Sequence, residues 1–284
     1  MSSKQVLRAN AKINLTLDVL RKRYDGYHDI QSYVAFLDLG DDLTINRSEK
    51  LSVSFDNPFN EDISGEFNSI TQTHKYLCST FPNLYQYNIH VKKNIPIAAG
   101  LGGGSCDAAS FMRYLISNGE INMNKIDLTS LAREVGADIP CCLYNKSAYI
   151  TGIGDSVCAV ELSDPYYCIL VNPLIPISTR KIYEMINIKD PEKLLNKDVL
   201  LKPTMTQFIN GKNDFEDIIS EEYPIIKKII KSISNFQGCL FARMTGSGPT
   251  CFGFFSNKAD VLQCESDLKD IYPKFWIRST KLLN

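Results

Sequence analysis

The chain has 284 residues, of which 44% are hydrophobic and 22% charged, as is ordinary for a globular protein. Its formal net charge of −1 at pH 7 supplies no basic field that would draw it to nucleic acid or to an anionic membrane. No uncharged apolar run approaches the ~20 residues needed to cross a bilayer. We therefore expect roughly two domains that bind neither nucleic acid nor membrane.

The cysteines and histidines indicate a reducing compartment and no metal centre. The nine cysteines are scattered, and no C-x-x-C pair occurs. The three histidines, His28, His74 and His90, have no metal-ligand spacing. We expect reduced thiols, mostly buried as small apolar groups, in a cytoplasmic protein without a signal peptide. The cysteine count alone gives no support for redox regulation.

In the first half of the chain, predicted strands and helices are mixed without strict βα order. Period-2 apolar patterns predict strands, and the wider apolar spacing predicts helices. The predicted strands cover residues 6–19 (with a break near Asn10), 32–36, 42–46, 51–55 and 87–92. The predicted helices cover 68–79, a stretch directly after Gly104, and 128–135, where Asp127 or Thr129 would be the cap.

The second half continues the mixture, which favours an α+β fold. A hairpin is predicted from 148–150 and 157–160, and we place the domain boundary there, giving domains over 1–158 and 159–284. Beyond it we predict strands at 167–171 and 251–255 and helices at 179–185, 221–234 and 259–270. A polar connection spans 186–205. In the 221–234 helix, isoleucines lie on one face and lysines on the solvated one.

The stretch from Pro96 to Ser105 is the strongest functional signal. Its glycines, Gly102 to Gly104, leave backbone N–H groups exposed, and a helix follows at once. Free N–H donors and the positive end of a helix dipole make a natural phosphate site. The stretch is neither a Walker A loop, which needs a lysine after the last glycine, nor a G-x-G-x-x-G fingerprint. The alternative is a flexible loop or a tight turn.

Four other places could carry chemistry, and each has a plainer interpretation. Lys12 lies in an apolar strand and so needs a partner for its charge. Asp138 follows Gly136 and could simply cap a helix. The pair Tyr27 and His28 could be ordinary surface residues, and 245–248 could be only a turn. Taken together, a buried cation, a carboxylate and two small-residue loops point to phosphoryl transfer from a nucleotide.

These residues resemble a known family. The stretch 96–105 is similar to the phosphate loop of the GHMP kinases, the superfamily of galactokinase, homoserine kinase and mevalonate kinase. The patterns at 11–15, 25–41, 136–140 and 244–248 resemble the branch that phosphorylates a cytidine-diphosphate-linked methylerythritol. The resemblance implies a two-domain α+β GHMP kinase fold, with an N-terminal domain similar to ribosomal protein S5 and a ferredoxin-like C-terminal domain. ATP and Mg²⁺ would act in the cleft between them, in a monomer or weak homodimer.

The resemblance also implies roles for particular residues. Asp138 would be the general base for the acceptor hydroxyl, and Lys12 would keep it ionised and polarise that hydroxyl. The residues implied for ATP are Asn68, near the adenine, and Pro96, Gly100, Leu101, Gly102, Gly103, Gly104 and Ser105. The residues implied for the substrate are Asn14, Tyr27, His28, Thr179, Tyr183, Thr245 and Gly246.

The chain departs from the family's sequence pattern at two places, and two alternative functions stay open. Phenylalanine is more usual where Tyr183 stands, and the loop reads Ser105-Cys106-Asp107 where Ser-Ser-Asn is common. Asp107 could face away from the triphosphate or help with Mg²⁺. The first alternative is another GHMP small-molecule kinase, of homoserine or mevalonate type, which should lack the element at 25–28. The second is a non-catalytic nucleotide- or RNA-binding domain on the same fold.

Overall fold

Two β-sheets organise the chain. A computed structural model describes residues 6–59, 63–162, 166–186, 188 and 201–283. Strands between residues 6 and 159 form the first sheet, and strands between 167 and 281 form the second, with helices packed on both. The predicted α+β class is confirmed. The predicted boundary after residue 158 lies at the end of the last strand of the first sheet and stays a prediction.

The first sheet is arranged around one long strand. Its strands are β1 (Val6–Asn14), β2 (Asp18–Lys22), β3 (His28–Ser48), β4 (Ser52–Asp56), β5 (Gln86–Lys92), β6 (Ala148–Gly152) and β7 (Ser156–Ala159). The order is β4-β5-β3-β6-β7, with β1 and β2 also paired to β3. Only β4 and β5 run parallel among these described pairs. The predicted strands 32–36 and 42–46 are one strand, because β1 pairs with β3 on both sides of a bulge between Asn10 and Lys12.

Four helices cover one side of this sheet in the described residues. They are α1 (Ser69–Thr80), α2 (Gly103–Ser117), α3 (Leu128–Glu134) and α4 (Ile139–Tyr144). Helix α2 packs against β1, α1 and α4. Its apolar face is buried on large side chains, as where the rings of Phe111 and Tyr87 meet edge to face at 5.5 Å. Burial of each such side chain stabilises the fold by about 1.5–3 kcal/mol, so α2 is held firmly with the glycine loop at its N-terminus.

The second sheet is antiparallel, in the order β11-β8-β10-β9. Its strands are β8 (Tyr167–Asn172), β9 (Cys239–Met244), β10 (Cys251–Phe255) and β11 (Trp276–Lys281). The accompanying helices are α5 (Thr179–Met185), α6 (Met205–Ile209), α7 (Glu216–Glu222), α8 (Pro224–Ser234) and α9 (Lys258–Ile271). Helices α8 and α9 pack on the sheet. No helix in the described ranges is long and apolar enough to cross a membrane.

The helix predicted over 221–234 is interrupted. Tyr223, with φ −125° and ψ 83°, separates α7 from α8 because a residue before proline is pushed out of the helical region. In α8 the side chains of Ile226, Ile229 and Ile233 are buried, while the lysines are exposed as predicted. Most of the predicted connection over 186–205 lies outside the described residues.

Arg243 ties the two sheets together near their shared cleft. It is buried on β9, and its guanidinium donates to the backbone carbonyls of Leu15, Phe208 and Gly211. Because Leu15 directly follows β1, this side chain fixes the end of β1 against the second sheet. The loop that follows β9, residues 245–250, contacts Asn14 and Gly100.

Candidate active site

A cavity of about 520 Å³ lies between the glycine loop and the loops of the second sheet. It brings together most of the residues that the sequence predicted for the site. The predicted residues that line it are Lys12, Asn14, Asn68, Pro96, Gly100, Gly102, Gly103, Gly104, Ser105, Asp138, Thr179, Tyr183 and Gly246. The predicted residues that do not line the cavity are Leu101, Tyr27, His28 and Thr245.

Lys12 and Asp138 form an ion pair at this cavity. The Lys12 Nζ lies 3.2 Å from Asp138 Oδ2 and donates to Asn14 Oδ1 at 2.7 Å. The lysine side chain is 6% exposed, whereas that of Asp138 is 39% exposed. Burial is the largest single influence and lowers the pKa of Lys12, but the raising influences, led by the charge of Asp138 and including its hydrogen bond, together place the pKa above the ordinary value. The ammonium is therefore charged at neutral pH, beside a carboxylate that solvent and ligands can reach.

Asp138 directly precedes α4, but its side chain does not cap the helix. The residue occupies the N-cap, but its side chain accepts no hydrogen bond from the helix backbone. The plainer interpretation of Asp138 as a helix cap is therefore not what the geometry shows, because the carboxylate turns to Lys12 instead. Pro140 at the start of α4 has no N–H that would need a cap.

The glycine loop makes two close approaches that require glycine. Gly102 has φ +69°, and a Cβ there would lie 2.8 Å from Lys12 Cγ. Gly100 has φ +74°, and a Cβ there would lie 2.5 Å from the carbonyl oxygen of Thr245. Leu101, between them, is fully buried and accepts a 3.0 Å hydrogen bond from the Lys12 backbone N–H. These contacts lock the loop to β1 on one side and to the second sheet on the other.

Asn14 connects the catalytic candidates to the second domain. Its backbone N–H donates to Thr245 Oγ1 at 2.9 Å, and its side-chain amide donates to Ser32 Oγ at 2.8 Å. The Thr245 hydroxyl in turn donates to the Gly100 carbonyl at 3.4 Å. Both ends of the Asn14 side chain are therefore engaged by protein groups. This arrangement positions Lys12, and the substrate-binding role of Asn14 stays a prediction.

A row of aromatic rings lies at the other end of the cavity. The His28 ring lies 4.9 Å from that of Tyr183, which meets Phe215 edge to face at 4.7 Å. Burial, with the charge of Lys22, lowers the pKa of His28 below its ordinary value. The imidazole is therefore neutral at pH 7, so that one ring nitrogen can donate and the other accept a hydrogen bond. Nearby, the hydroxyls of Thr179 and Ser247 are 2.7 Å apart.

Tyr27 and Asn68 are engaged elsewhere than the sequence suggested. Tyr27 is 37% exposed, and its hydroxyl donates to the backbone carbonyl of Arg133 at 3.1 Å. Asn68 caps α1, where its side-chain oxygen accepts from the backbone N–H groups of Ile70 and Thr71. The Asn68 amide also donates to nearby carbonyls, so its polar atoms are already bonded. Their ligand-binding roles stay predictions.

A second charged cluster, which the sequence did not reveal, lies beside the glycine loop, and two of its members, Lys93 and Asp107, line the cavity. Lys93 pairs with Asp41 and, at 2.9 Å, with Asp107, and all three side chains are buried. Asp107 therefore faces Lys93, although its Oδ1 has no hydrogen-bond partner in the described structure. Burial raises the pKa of Asp107 to about 7, with the Lys93 charge lowering it and the Asp41 charge raising it. A charged residue early in an apolar helix was the signal available in the sequence.

Replacing Asp107 by asparagine should change how stability depends on pH. A carboxyl with a raised pKa binds its proton more tightly in the folded chain. Its contribution is therefore complete below about pH 4 and is lost as the pH rises through 7. Urea unfolding at pH 5, 6, 7 and 8 should show wild type losing stability relative to Asp107→Asn, by a few kcal/mol in total. Asp270→Asn, at an exposed position, is the control. A constant difference between wild type and Asp107→Asn would contradict the raised pKa.

Comparisons with known proteins place these features in a family. The GHMP kinases N terminal domain family matches residues 68–146, and the GHMP kinases C terminal family matches 196–274. The 4-diphosphocytidyl-2-C-methyl-D-erythritol kinase of Bradyrhizobium sp. strain BTAi1 is 30% identical, covering 97% of this chain and 95% of that one. The enzyme of the same name from Caldicellulosiruptor saccharolyticus is 35% identical, with 93% and 92% covered.

The fold comparison agrees with the sequence comparison. A crystal structure of 4-(cytidine 5'-diphospho)-2C-methyl-D-erythritol kinase superimposes with a TM-score of 0.77 at 24% identity, covering 99% of this chain and 100% of that one. This likeness confirms the two-domain GHMP fold that the sequence patterns implied. GHMP kinases are ATP-dependent, so the glycine loop at 100–105 belongs to an ATP-using enzyme. The chain therefore belongs to the 4-diphosphocytidyl-2-C-methyl-D-erythritol kinase family of the GHMP kinases.

Proposed function

We propose that this protein transfers the γ-phosphoryl group of ATP to the 2-hydroxyl of 4-diphosphocytidyl-2-C-methyl-D-erythritol, giving the 2-phosphate and ADP. The observation that carries the proposal is the Lys12–Asp138 ion pair, which opens into the cavity whose other wall is the glycine loop. Family membership narrows the acceptor to this alcohol. The product would be an intermediate in the synthesis of isoprenoid precursors by the non-mevalonate route. We expect the enzyme in the cytoplasm as a monomer or weak homodimer.

In the proposed reaction Asp138 takes the proton of the acceptor hydroxyl. The hydroxyl oxygen then bonds to the γ-phosphorus while the bond from that phosphorus to the β-bridging oxygen breaks and ADP leaves. The buried ammonium of Lys12 pairs with the Asp138 carboxylate and stabilises charge on the oxygen that is losing its proton. Because phosphoryl transfer leaves little covalent work to the protein, positioning and electrostatics supply most of the catalysis.

The phosphates of ATP would lie against the backbone N–H groups of 102–105 and the N-terminus of α2. No group of three His, Cys, Asp or Glu side chains in the described ranges could hold a metal ion. Mg²⁺ does not need such a group, because it is usually bound by substrate phosphates, waters and one or two protein oxygens. Ser105, in the cavity wall, would supply such an oxygen. Bound Mg²⁺ would neutralise negative charge on the phosphates.

The cytidine end of the acceptor would lie at the aromatic end of the cavity. There the neutral His28 imidazole can hydrogen-bond the base, and the ring of Tyr183, in contact with His28, offers a stacking surface. Tyr27 would have to leave its hydrogen bond to Arg133 or stack through its exposed face.

His28→Ala should raise the KM for the acceptor about tenfold, since it removes a hydrogen bond and a ring contact worth about 1–1.5 kcal/mol. Tyr27→Ala should have a smaller effect, because the Tyr27 ring is 37% exposed and its hydroxyl already donates to the Arg133 carbonyl. The KM for ATP should not change in either variant. Steady-state kinetics with each substrate varied in turn makes the comparison, with Tyr24→Ala, at a fully exposed ring, as control. If the variant that carries both Tyr27→Ala and His28→Ala keeps the wild-type KM for the acceptor, a different acceptor alcohol is favoured.

The decisive experiment is ADP release from Mg-ATP in a coupled assay, with and without 4-diphosphocytidyl-2-C-methyl-D-erythritol. Parallel reactions contain homoserine or mevalonate. ADP formation that depends on the first acceptor supports the proposal. Turnover of homoserine or mevalonate would favour another GHMP activity. ATP binding without turnover of any acceptor, together with retention on a nucleic-acid column at moderate salt, would favour a binding protein on this fold.

A further inference from the structure

Two cysteine thiols meet behind the active site. Cys106 on α2 and Cys142 on α4 are 36 positions apart in the chain, yet their sulfur atoms lie 3.2 Å apart. Both side chains are buried, and all nine cysteines of the chain are free. A disulfide requires a sulfur–sulfur distance of about 2.05 Å. The two sulfur atoms would therefore have to approach each other by only about 1 Å to allow the bond.

The pair joins the two halves of the proposed catalytic centre. Cys106 directly follows Ser105 in the first turn of α2, at the end of the glycine loop. Cys142 lies one helical turn after Asp138, and its backbone N–H donates to the Asp138 carbonyl at 2.9 Å. A bond between the sulfurs would thus connect the phosphate-binding helix to the helix that carries the proposed base.

We propose that Cys106 and Cys142 are an oxidation site, at which a peroxide forms a reversible intramolecular disulfide that inhibits the enzyme. One thiol is oxidised by hydrogen peroxide to a sulfenic acid with release of water, and the second thiol displaces a second water to form the S–S bond. Two thiols and one peroxide therefore give one disulfide and two waters. A small dithiol reverses the reaction. The inhibitory effect rests on the proposed function, whereas formation of the bond does not.

The surroundings of the pair determine how fast it can react. Burial raises the pKa of the Cys142 thiol well above its ordinary value, so this thiol reacts slowly at neutral pH. A Cβ placed on Gly102 would lie 3.5 Å from the Cys106 sulfur, and Gly102 lines the cavity. The Cys106 sulfur therefore lies directly beside a residue of the cavity wall. Oxidation should therefore be slower than at Cys158, which is exposed.

Inhibition follows from the movement that the bond requires. Drawing α2 and α4 together shifts the glycine loop relative to Asp138, and a misplacement of about 1 Å can cost about a hundredfold in rate. We expect at least a tenfold lower kcat in the oxidised enzyme, with full recovery after dithiothreitol.

The test uses the full-length Cys158→Ser protein, which removes the exposed thiol, and Cys158→Ser/Cys142→Ala as its matched partner. Each is treated with hydrogen peroxide, alkylated, digested and examined by mass spectrometry while kcat is followed. The expected result is a linked Cys106–Cys142 peptide and a reversible loss of kcat in the first protein only. Two unlinked, alkylated cysteines after prolonged oxidation, or a linked enzyme with full kcat, would overturn the proposal.

The design separates this proposal from the proposed function. If no acceptor is turned over, the linked peptide still decides whether the bond forms, and ATP binding by calorimetry replaces kcat as the second readout. If Cys142→Ala does not fold, Cys106→Ser in the same background takes its place.

Discussion

Replacing Asp138 by asparagine is expected to lower kcat by about a hundredfold to ten-thousandfold, the range typical for loss of a general base. Asparagine keeps the size of the side chain but cannot accept the proton of the acceptor hydroxyl. Because Asp138 is partly exposed and does not cap α4, the substitution should leave the fold and ATP binding near wild type. Steady-state kinetics gives kcat, and isothermal calorimetry gives the dissociation constant for ATP.

The matched control is Asp270→Asn, which changes an exposed carboxylate on α9. It should leave both quantities unchanged. If Asp138→Asn retains near-full activity, Asp138 is not the base. A large loss of ATP affinity would mean instead that the residue acts in nucleotide binding.

Lys12→Met should lower kcat by about a hundredfold to a thousandfold, the loss seen when one preorganised electrostatic group is removed. Methionine keeps much of the apolar stem that packs against Gly102 and removes only the ammonium. Asp138 then loses its ion-pair partner, and the reacting hydroxyl loses its neighbouring cation. The buried site makes methionine easier to accommodate than a small side chain, which would leave a cavity.

Kinetics of Lys12→Met, Asp138→Asn and the double variant tests whether the two residues act together. Since both act on the same hydroxyl, the loss in the double variant should be much smaller than the product of the single losses. Lys92→Met, one residue before Lys93 and exposed, is the control for removal of a lysine. Multiplicative losses would show that Lys12 and Asp138 act at separate steps.

Much of the fold could be predicted from local pattern. The helix predicted over 179–185 and the strand over 251–255 have the predicted bounds, and the hairpin around 152–155 is present. The predictions failed where the extent of a strand depends on pairing with residues far away in the sequence. Residues 37–41 carry no strong strand signal of their own, yet they stay in β3, because β1 pairs with Gly40 and Asp41 at one end of this stretch and with Phe36 just before it. Such pairing depends on residues about thirty positions away.

The candidate site, too, could be predicted where a local sequence signal exists and not where residues far apart in the chain meet. That Lys12 needs a partner follows from a charge in an apolar strand, and the structure supplies Asp138. The cluster around Lys93 follows the same rule, but its partners Asp41 and Asp107 are separated by 66 positions, and no local spacing connects them. The capping role of Asn68 was hidden because its sequence context fits a ligand and a cap equally well.

The close approach of Gly100 to Thr245 and Gly248 has a thermodynamic consequence. The loop proposed to bind ATP and the loop at 245–248 proposed to face the acceptor approach closely through their backbones, so we expect a shift of one to be transmitted to the other. We therefore expect binding of either substrate to change the free energy of binding the other. By reciprocity, the factor by which ATP alters acceptor affinity must equal the factor by which the acceptor alters ATP affinity. Through this contact between the domains, the affinity for ATP and the affinity for the acceptor would depend on each other.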